Sequence, residues 1–137
     1  MVVLFRSIDS QSHLLLRLVR ANALELTLVL DLAHAGLTGR SQETDFFRAD
    51  VARFLDSLRA FAVSHQGEAT LESFDLPGIT LRVWPIDQAR HAGLEISLEY
   101  GQTLGNGFYD NQINVAFELD PSRWEELLTD LQAMLDA

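Results

Sequence analysis

Leu24-Glu25-Leu26-Thr27-Leu28-Val29-Leu30-Asp31-Leu32 decides the fold class, because every second residue in it is leucine. Successive side chains of a strand point to opposite faces, so Leu24, Leu26, Leu28, Leu30 and Leu32 share one side. Glu25, Thr27, Val29 and Asp31 take the other side. Leucine is a poor strand marker, so the two-residue period carries the assignment and propensity does not. Upstream, Val2 to Ile8 and Leu14 to Ala21 are similar short apolar runs, and Asn22-Ala23 is a gap short enough for a hairpin. Downstream, Gly36-Leu37-Thr38-Gly39 reads as a turn.

After that turn the period changes. Phe47, Val51, Phe54, Leu58 and Phe61 recur at helical spacing and predict an amphipathic helix over about residues 46 to 64. Asp45 or Asp50 is placed to cap its start, and Gly67 to follow its end. Arg53, Asp56 and Arg59 lie on its polar side, close enough for modest ion pairing. Alternation then returns in four segments, roughly Ala69 to Phe74, Ile79 to Trp84, Leu94 to Tyr100 and Ile113 to Leu119, with Pro77-Gly78 and Gly101 to Gly107 as turns. Ile79/Leu81/Val83, Leu94/Ile96/Leu98/Tyr100 and Ile113/Val115/Phe117/Leu119 form the inward faces. Asp120 as cap and Pro121 at the first helical position open a last helix, with Trp124, Leu127, Leu128, Leu131 and Met134 or Leu135 as its stripe. Hairpin-length connections dominate. The expected fold is therefore α+β, a curved antiparallel sheet of about six to seven strands with two helices packed on one face.

The chain has 137 residues, twenty acidic against ten basic, and a formal charge of -10. All ten basic residues are arginine, and there is no cysteine. Residues 1–137 are expected to make one domain, burying roughly 70% of the unfolded surface without disulfides or structural zinc. The missing cysteines exclude thiol catalysis and Cys-based metal sites. The acidic balance argues against nucleic-acid binding, which depends on clustered Lys and Arg, and leaves a basic protein as the expected partner. Arg17 and Arg20 ahead of Ala33-His34-Ala35 imitate a signal sequence, but Glu25 and Asp31 interrupt the apolar stretch. The longest uncharged run, Tyr100 to Tyr109, holds three glycines, so no membrane span and a cytoplasmic location are expected.

His13, His34, His65 and His91 each have an acid three or four positions away: Asp9, Asp31, Glu68 and Asp87. With so many acids in the chain such neighbours arise by chance, and no H-E-x-x-H or EF-hand spacing is present, so no metal site is read. No serine sits in a nucleophile turn. Gly101, Gly105 and Gly107 lack the following Lys-Ser/Thr of a phosphate loop and suit a wide hairpin turn, where Phe108 and Tyr109 either pack on the hairpin or stand exposed at its tip. No catalytic residue and no cofactor is expected. Glu72, Glu95, Glu99 and Glu118 fall opposite the apolar sheet face, together with Arg82 and Trp84. Paired carboxylates there meet water, which does not raise the pKa a glycosidase acid needs. The surface is either a solvated, charge-balanced face or a binding surface whose acids steer a basic partner and whose Trp84 anchors it.

The order of elements, and the residues marking them, resemble the WapI-type bacterial immunity proteins. The resemblance lies in Ala49-Asp50-Val51-Ala52-Arg53-Phe54-Leu55-Asp56-Ser57-Leu58, in Gly67-Glu68-Ala69-Thr70-Leu71-Glu72-Ser73, in Gly93-Leu94-Glu95-Ile96-Ser97-Leu98 and in Phe117-Glu118-Leu119-Asp120-Pro121-Ser122-Arg123-Trp124. It covers about residues 14 to 135 and rests on core positions, turns and caps, so no partner-contacting residue is carried over. It implies a non-enzymatic domain that neutralises a toxin by occlusion. Two other accounts stay open: an acidic secretion-chaperone-like or assembly module, which would dimerise around an apolar groove, and a small-ligand-binding protein with a pocket between helices and sheet.

Overall fold

The computed structural model describes residues 1–74 and 78–137, with the side chains of 100–104 and 107–110 outside the description. The fold is α+β, as expected, but its strands divide into two antiparallel sheets. The first holds β1 (Val2–Arg6), β2 (His13–Ala21), β3 (Glu25–His34), β4 (Leu37–Arg40) and β5 (Thr44–Phe47). The second is a meander of β6 (Ala69–Glu72), β7 (Gly78–Pro85), β8 (Ala92–Leu104) and β9 (Gly107–Glu118). Between them in sequence runs α1 (Arg48–Ser64), and the chain closes with a short 3-10 turn, Pro121–Arg123, leading into α2 (Trp124–Leu135).

The single curved sheet expected from the sequence is replaced by two sheets that touch along their margins. On one side Ser7 forms an isolated bridge with Leu119. Around it the Ile8 amide donates to the Glu118 carbonyl and the Asp120 amide to the Arg6 carbonyl, each at 2.9 Å. On the other side the Phe74 amide reaches the Asp45 carbonyl at 3.3 Å, and the Phe47 and Phe74 rings stack at 4.4 Å. The strands pair continuously within each half of the chain. Between the halves, α1 interrupts the run of hairpins, and among the described residues only a few backbone hydrogen bonds join the two ladders.

β3 is central to the first sheet. One side pairs with β2, and the other is shared by β5 over Glu25 to Leu28 and β4 over Asp31 to His34. Leu26, Leu28 and Leu30 are accordingly buried, whereas Leu24 precedes the strand and is 71% exposed. The expected turn at Gly36 to Gly39 shifts upstream: Ala35 and Gly36 take positive φ values of 50° and 83°, and Leu37 already begins β4. The glycine-rich stretch after Tyr100 also pairs. Gly101 faces Asp110 and Leu104 faces Gly107, so the reversal narrows to Gly105 and Asn106. The inward placement expected for Tyr100, the placements of Phe108 and Tyr109, and the turn residue Pro77 lie outside the described residues.

α1 starts after Phe47, which has extended backbone and no capping side chain. Asp45 accepts a hydrogen bond from Thr27 and Asp50 pairs with Arg53, so neither caps the helix. Its end is set by His65 in the left-handed region, whose amide donates to the Phe61 carbonyl at 2.7 Å, and Gly67 lies beyond this cap. Asp120 does cap the closing segment, accepting from the amide and hydroxyl of Ser122. α1 buries Val51, Phe54, Leu55, Leu58 and Phe61, and α2 buries Leu127, Leu131 and Met134. α1 contacts β5, β6 and α2, while α2 also contacts β1. α1 thus touches both sheets, while α2 packs against α1 and β1 of the first sheet. One contiguous core joins residues of both sheets and both helices.

Candidate functional site: an acidic outer face and an apolar cleft

The alternation of the second sheet sends Ile79, Leu81, Val83, Leu94 and Ile96 into the core. The same alternation brings the six site residues named from the sequence to the opposite face. Register fixes their rows: Arg82 lies between Thr70 and Glu95, Trp84 lies beside Gly93 and then Glu118, and Glu72 pairs with Thr80. Glu99 pairs with Gly78 at the far end of β7.

Arg82 organises the middle of this face. Its Nε and one terminal nitrogen donate to Glu68 at 3.1 and 2.8 Å, and Glu95 lies 3.9 Å away. Its guanidinium carbon sits 4.7 Å from the centre of the Trp84 ring, a cation–π distance. The hydrogen bond from Arg82 holds the Glu68 carboxyl below the usual range, and the same bond raises Arg82. The indole in turn covers Gly93, where an added Cβ would come within 2.7 Å of the ring. A glycine near the start of β8 thus makes room for a flat, half-buried tryptophan that stacks under Arg82.

The sequence did not single out the companions Glu68, Asp87 and His91 for this face. His91 Nδ1 is 2.7 Å from Asp87 and 3.8 Å from Glu118. The hydrogen bond with Asp87 raises the His91 pKa, aided by the charges of Asp87 and Glu118. The four-residue spacing of Asp87 and His91 was the visible signal, but Glu118 joins them only through sheet pairing. Two other histidines meet other groups: His34 Nδ1 lies 2.8 Å from Ser12 Oγ, and His65 leans on the Phe61 ring at 4.9 Å. Among the described residues no group of three or more His, Asp or Glu is arranged to hold a metal.

A second feature had no counterpart in the sequence reading. Between the two sheets, away from both helices, lies a cleft of about 310 Å³. Leu30, Leu32 and Leu37 of the first sheet face Ile96, Ile113 and Val115 of the second across it. The pocket considered from the sequence lay between helices and sheet, whereas no helical residue lines this one. His34 stands at its wall, its ring stacked 6.2 Å from that of Phe117 on the opposite sheet. Neither periodicity nor spacing reveals such a space, because it arises where two sheets diverge. No helix among the described residues is long and apolar enough to cross a membrane. The comparisons add no relative: no family model, curated protein or solved structure matches the chain.

Proposed function

We propose that the chain is a non-enzymatic protein-binding domain of the immunity type, acting in the bacterial cytoplasm by covering the working surface of a basic toxin domain. The observation that carries this reading is the outer face of the second sheet, where Glu72, Glu95, Glu99 and Glu118 share one side with the stacked pair Arg82 and Trp84. Acids displayed on a face attract a basic partner over several ångströms and raise the encounter rate, while a partly buried aromatic supplies the desolvated contact that holds the complex. The net charge of -10 gives the whole chain the same polarity. The resemblance to the WapI-type family points the same way, since occlusion requires no catalytic group.

Affinity purification from the native cell, with identification of what co-elutes, tests the reading directly. Recovery of a basic toxin domain is the expected result, and recovery of an exported effector would favour the chaperone account instead. With the partner in hand, the double substitution Glu95→Arg and Glu99→Arg should slow association about tenfold or more and flatten its salt dependence. Unchanged affinity and unchanged salt dependence would remove the outer face from the interface.

A further inference from the structure

We propose that the open edge of β9 takes up an extended segment of the partner, alternating basic and apolar residues, which pairs with the second sheet as an additional strand. The inference rests on the acidic outer face as the partner's surface and specifies how the partner is held there. β9 ends the second sheet, with β8 along one side. On the other side, among the described residues, only the chain around Ser7 pairs with it: Ser7 bridges Leu119, and the Ile8 amide donates to the Glu118 carbonyl. The Leu119 amide, by contrast, donates to Ala92 on the β8 side. Residues of an antiparallel strand alternate in the side to which their main-chain groups point, and the β8–β9 register runs unshifted from Glu118 to Gly107. The amides and carbonyls of Gln112, Asn114 and Ala116 therefore point outward, as those of Glu118 do. The chain after Ile8 turns back at Ser10, at φ 61°, and does not continue along them.

Edges of this kind are normally guarded by charge, proline or shortness. Asn111 to Phe117 contains neither a charged residue nor a proline. Gln112, Ile113, Asn114 and Ala116 are exposed, Ile113 by 48%. Strand parity and charge say what fits there. In an added strand, side chains beside Ile113 and Val115 turn toward the opening between the sheets, whose β4 side is open to solvent and where Leu37 is 76% exposed. Apolar residues at those positions cover Ile113 and Leu37. Side chains beside Gln112, Asn114 and Ala116 lie on the outer face, where Glu99 is the β8 neighbour of Gln112 and Glu95 that of Ala116. The edge is neutral and the acids stand one strand behind it, so a lysine or arginine reaches across to them while the backbones pair. A second copy of this chain fits worse, because pairing β9 with β9 would join two such acidic faces of chains that each carry -10.

The test adds a short capped peptide of alternating lysine and valine to the whole chain and reads amide hydrogen exchange and methyl signals by NMR. Exchange at the Gln112, Asn114 and Ala116 amides should slow about tenfold or more at saturation, and the Ile113 methyl signals should move. N-methylating one alternate set of peptide residues should abolish this protection, and methylating the other set should not. A glutamate and valine peptide of the same length should give none. Ala116→Pro removes an outward donor without touching the β8 ladder and should abolish the protection, and Ile113→Lys places a guarding charge on the same edge should the proline variant misfold. Glu95→Arg with Glu99→Arg should weaken the peptide about tenfold. The inference falls if these amides exchange unchanged up to the solubility of the peptide, if both N-methylated forms bind alike, or if the glutamate peptide protects as well. It also falls if the free chain protects the same amides as its own concentration rises, which assigns the edge to a second copy. If the edge variants bind like the parent while the Glu95 and Glu99 reversal weakens binding, strand addition fails and the outer-face reading stands. If the reversal alone changes nothing, the outer-face reading fails and the basic occupant fails with it.

Discussion

At the scale of single residues, the outer face is held by short-range electrostatics whose sign can be worked out. His91 has its pKa raised above 6.5 by its hydrogen bond with Asp87 and by the charges of Asp87 and Glu118, so the folded state favours the protonated ring. That contribution is fully present below the unfolded histidine pKa of about 6.5 and fades as pH rises through the higher folded value. Asp87 is lowered from 3.8, first by the Ala89 amide and then by His91, so its contribution is present above that value and fades as pH falls through the folded one. The two windows overlap between about pH 4 and 6.5. Replacing His91 with Gln should therefore lower stability in urea titrations at about pH 5.5, and the gap to the parent should close at about pH 9. A gap that stays constant across this range would mean that the ring contributes by packing and not by charge. The Trp84–Gly93 contact is different in kind, a steric fit that does not titrate, so it keeps the indole in place while the ion pairs around it change.

At the scale of elements, legibility followed burial. β3 and the second sheet were readable because one face of each strand is wet and the other dry, which writes alternation into the residues. β4 was not, since all four of its residues are exposed and an edge strand without a dry face leaves no period to find. The Gly101 to Gly107 stretch misled for the opposite reason: glycine suggested a broad turn, but strand pairing runs through Gly101 and leaves Gly105, at φ 60°, and Asn106 to make the reversal. The six outer-face residues were legible as a set because strand parity alone places them, whereas Glu68, Asp87 and His91 depend on how loops return to the sheet. The junction between helices was hidden too. Arg48, at the start of α1, donates to the carbonyls of Leu135 and Ala137 at the end of the chain and to Asn22 between β2 and β3. Removing the guanidinium with Arg48→Leu should cost about 1 to 3 kcal/mol, because three carbonyls lose a charged donor, and should speed hydrogen exchange in the last turn of α2. A variant as stable as the parent, with unchanged exchange there, would show that water replaces the arginine without loss.

At the scale of the whole molecule, the question is whether two sheets joined by so few backbone contacts behave as one unit. The ladders themselves argue for separation, since pairing is continuous within each sheet and sparse between them. The core argues the other way. Phe5, Leu16 and Leu28 of the first sheet, Leu71, Leu81 and Leu94 of the second, and Phe54 and Leu131 of the helices belong to one buried cluster, so neither sheet can leave without exposing the other's inner face. Burying a large apolar side chain is worth about 1.5 to 3 kcal/mol, and several on each side outweigh the handful of hydrogen bonds at the margins. The domain should therefore unfold in a single transition, as small domains with one core do. The two tryptophans make this measurable, because Trp84 reports from β7 in the second sheet and Trp124 from the start of α2, against Phe61. Variants keeping one indole each, Trp124→Phe and Trp84→Phe, should each show a fluorescence midpoint in urea that coincides with the loss of far-ultraviolet circular dichroism measured on the same variant. A Trp84 transition well separated from its own dichroism curve would mean that the second sheet opens alone, and a partner gripping only the acidic face would then stabilise that sheet and not the whole fold.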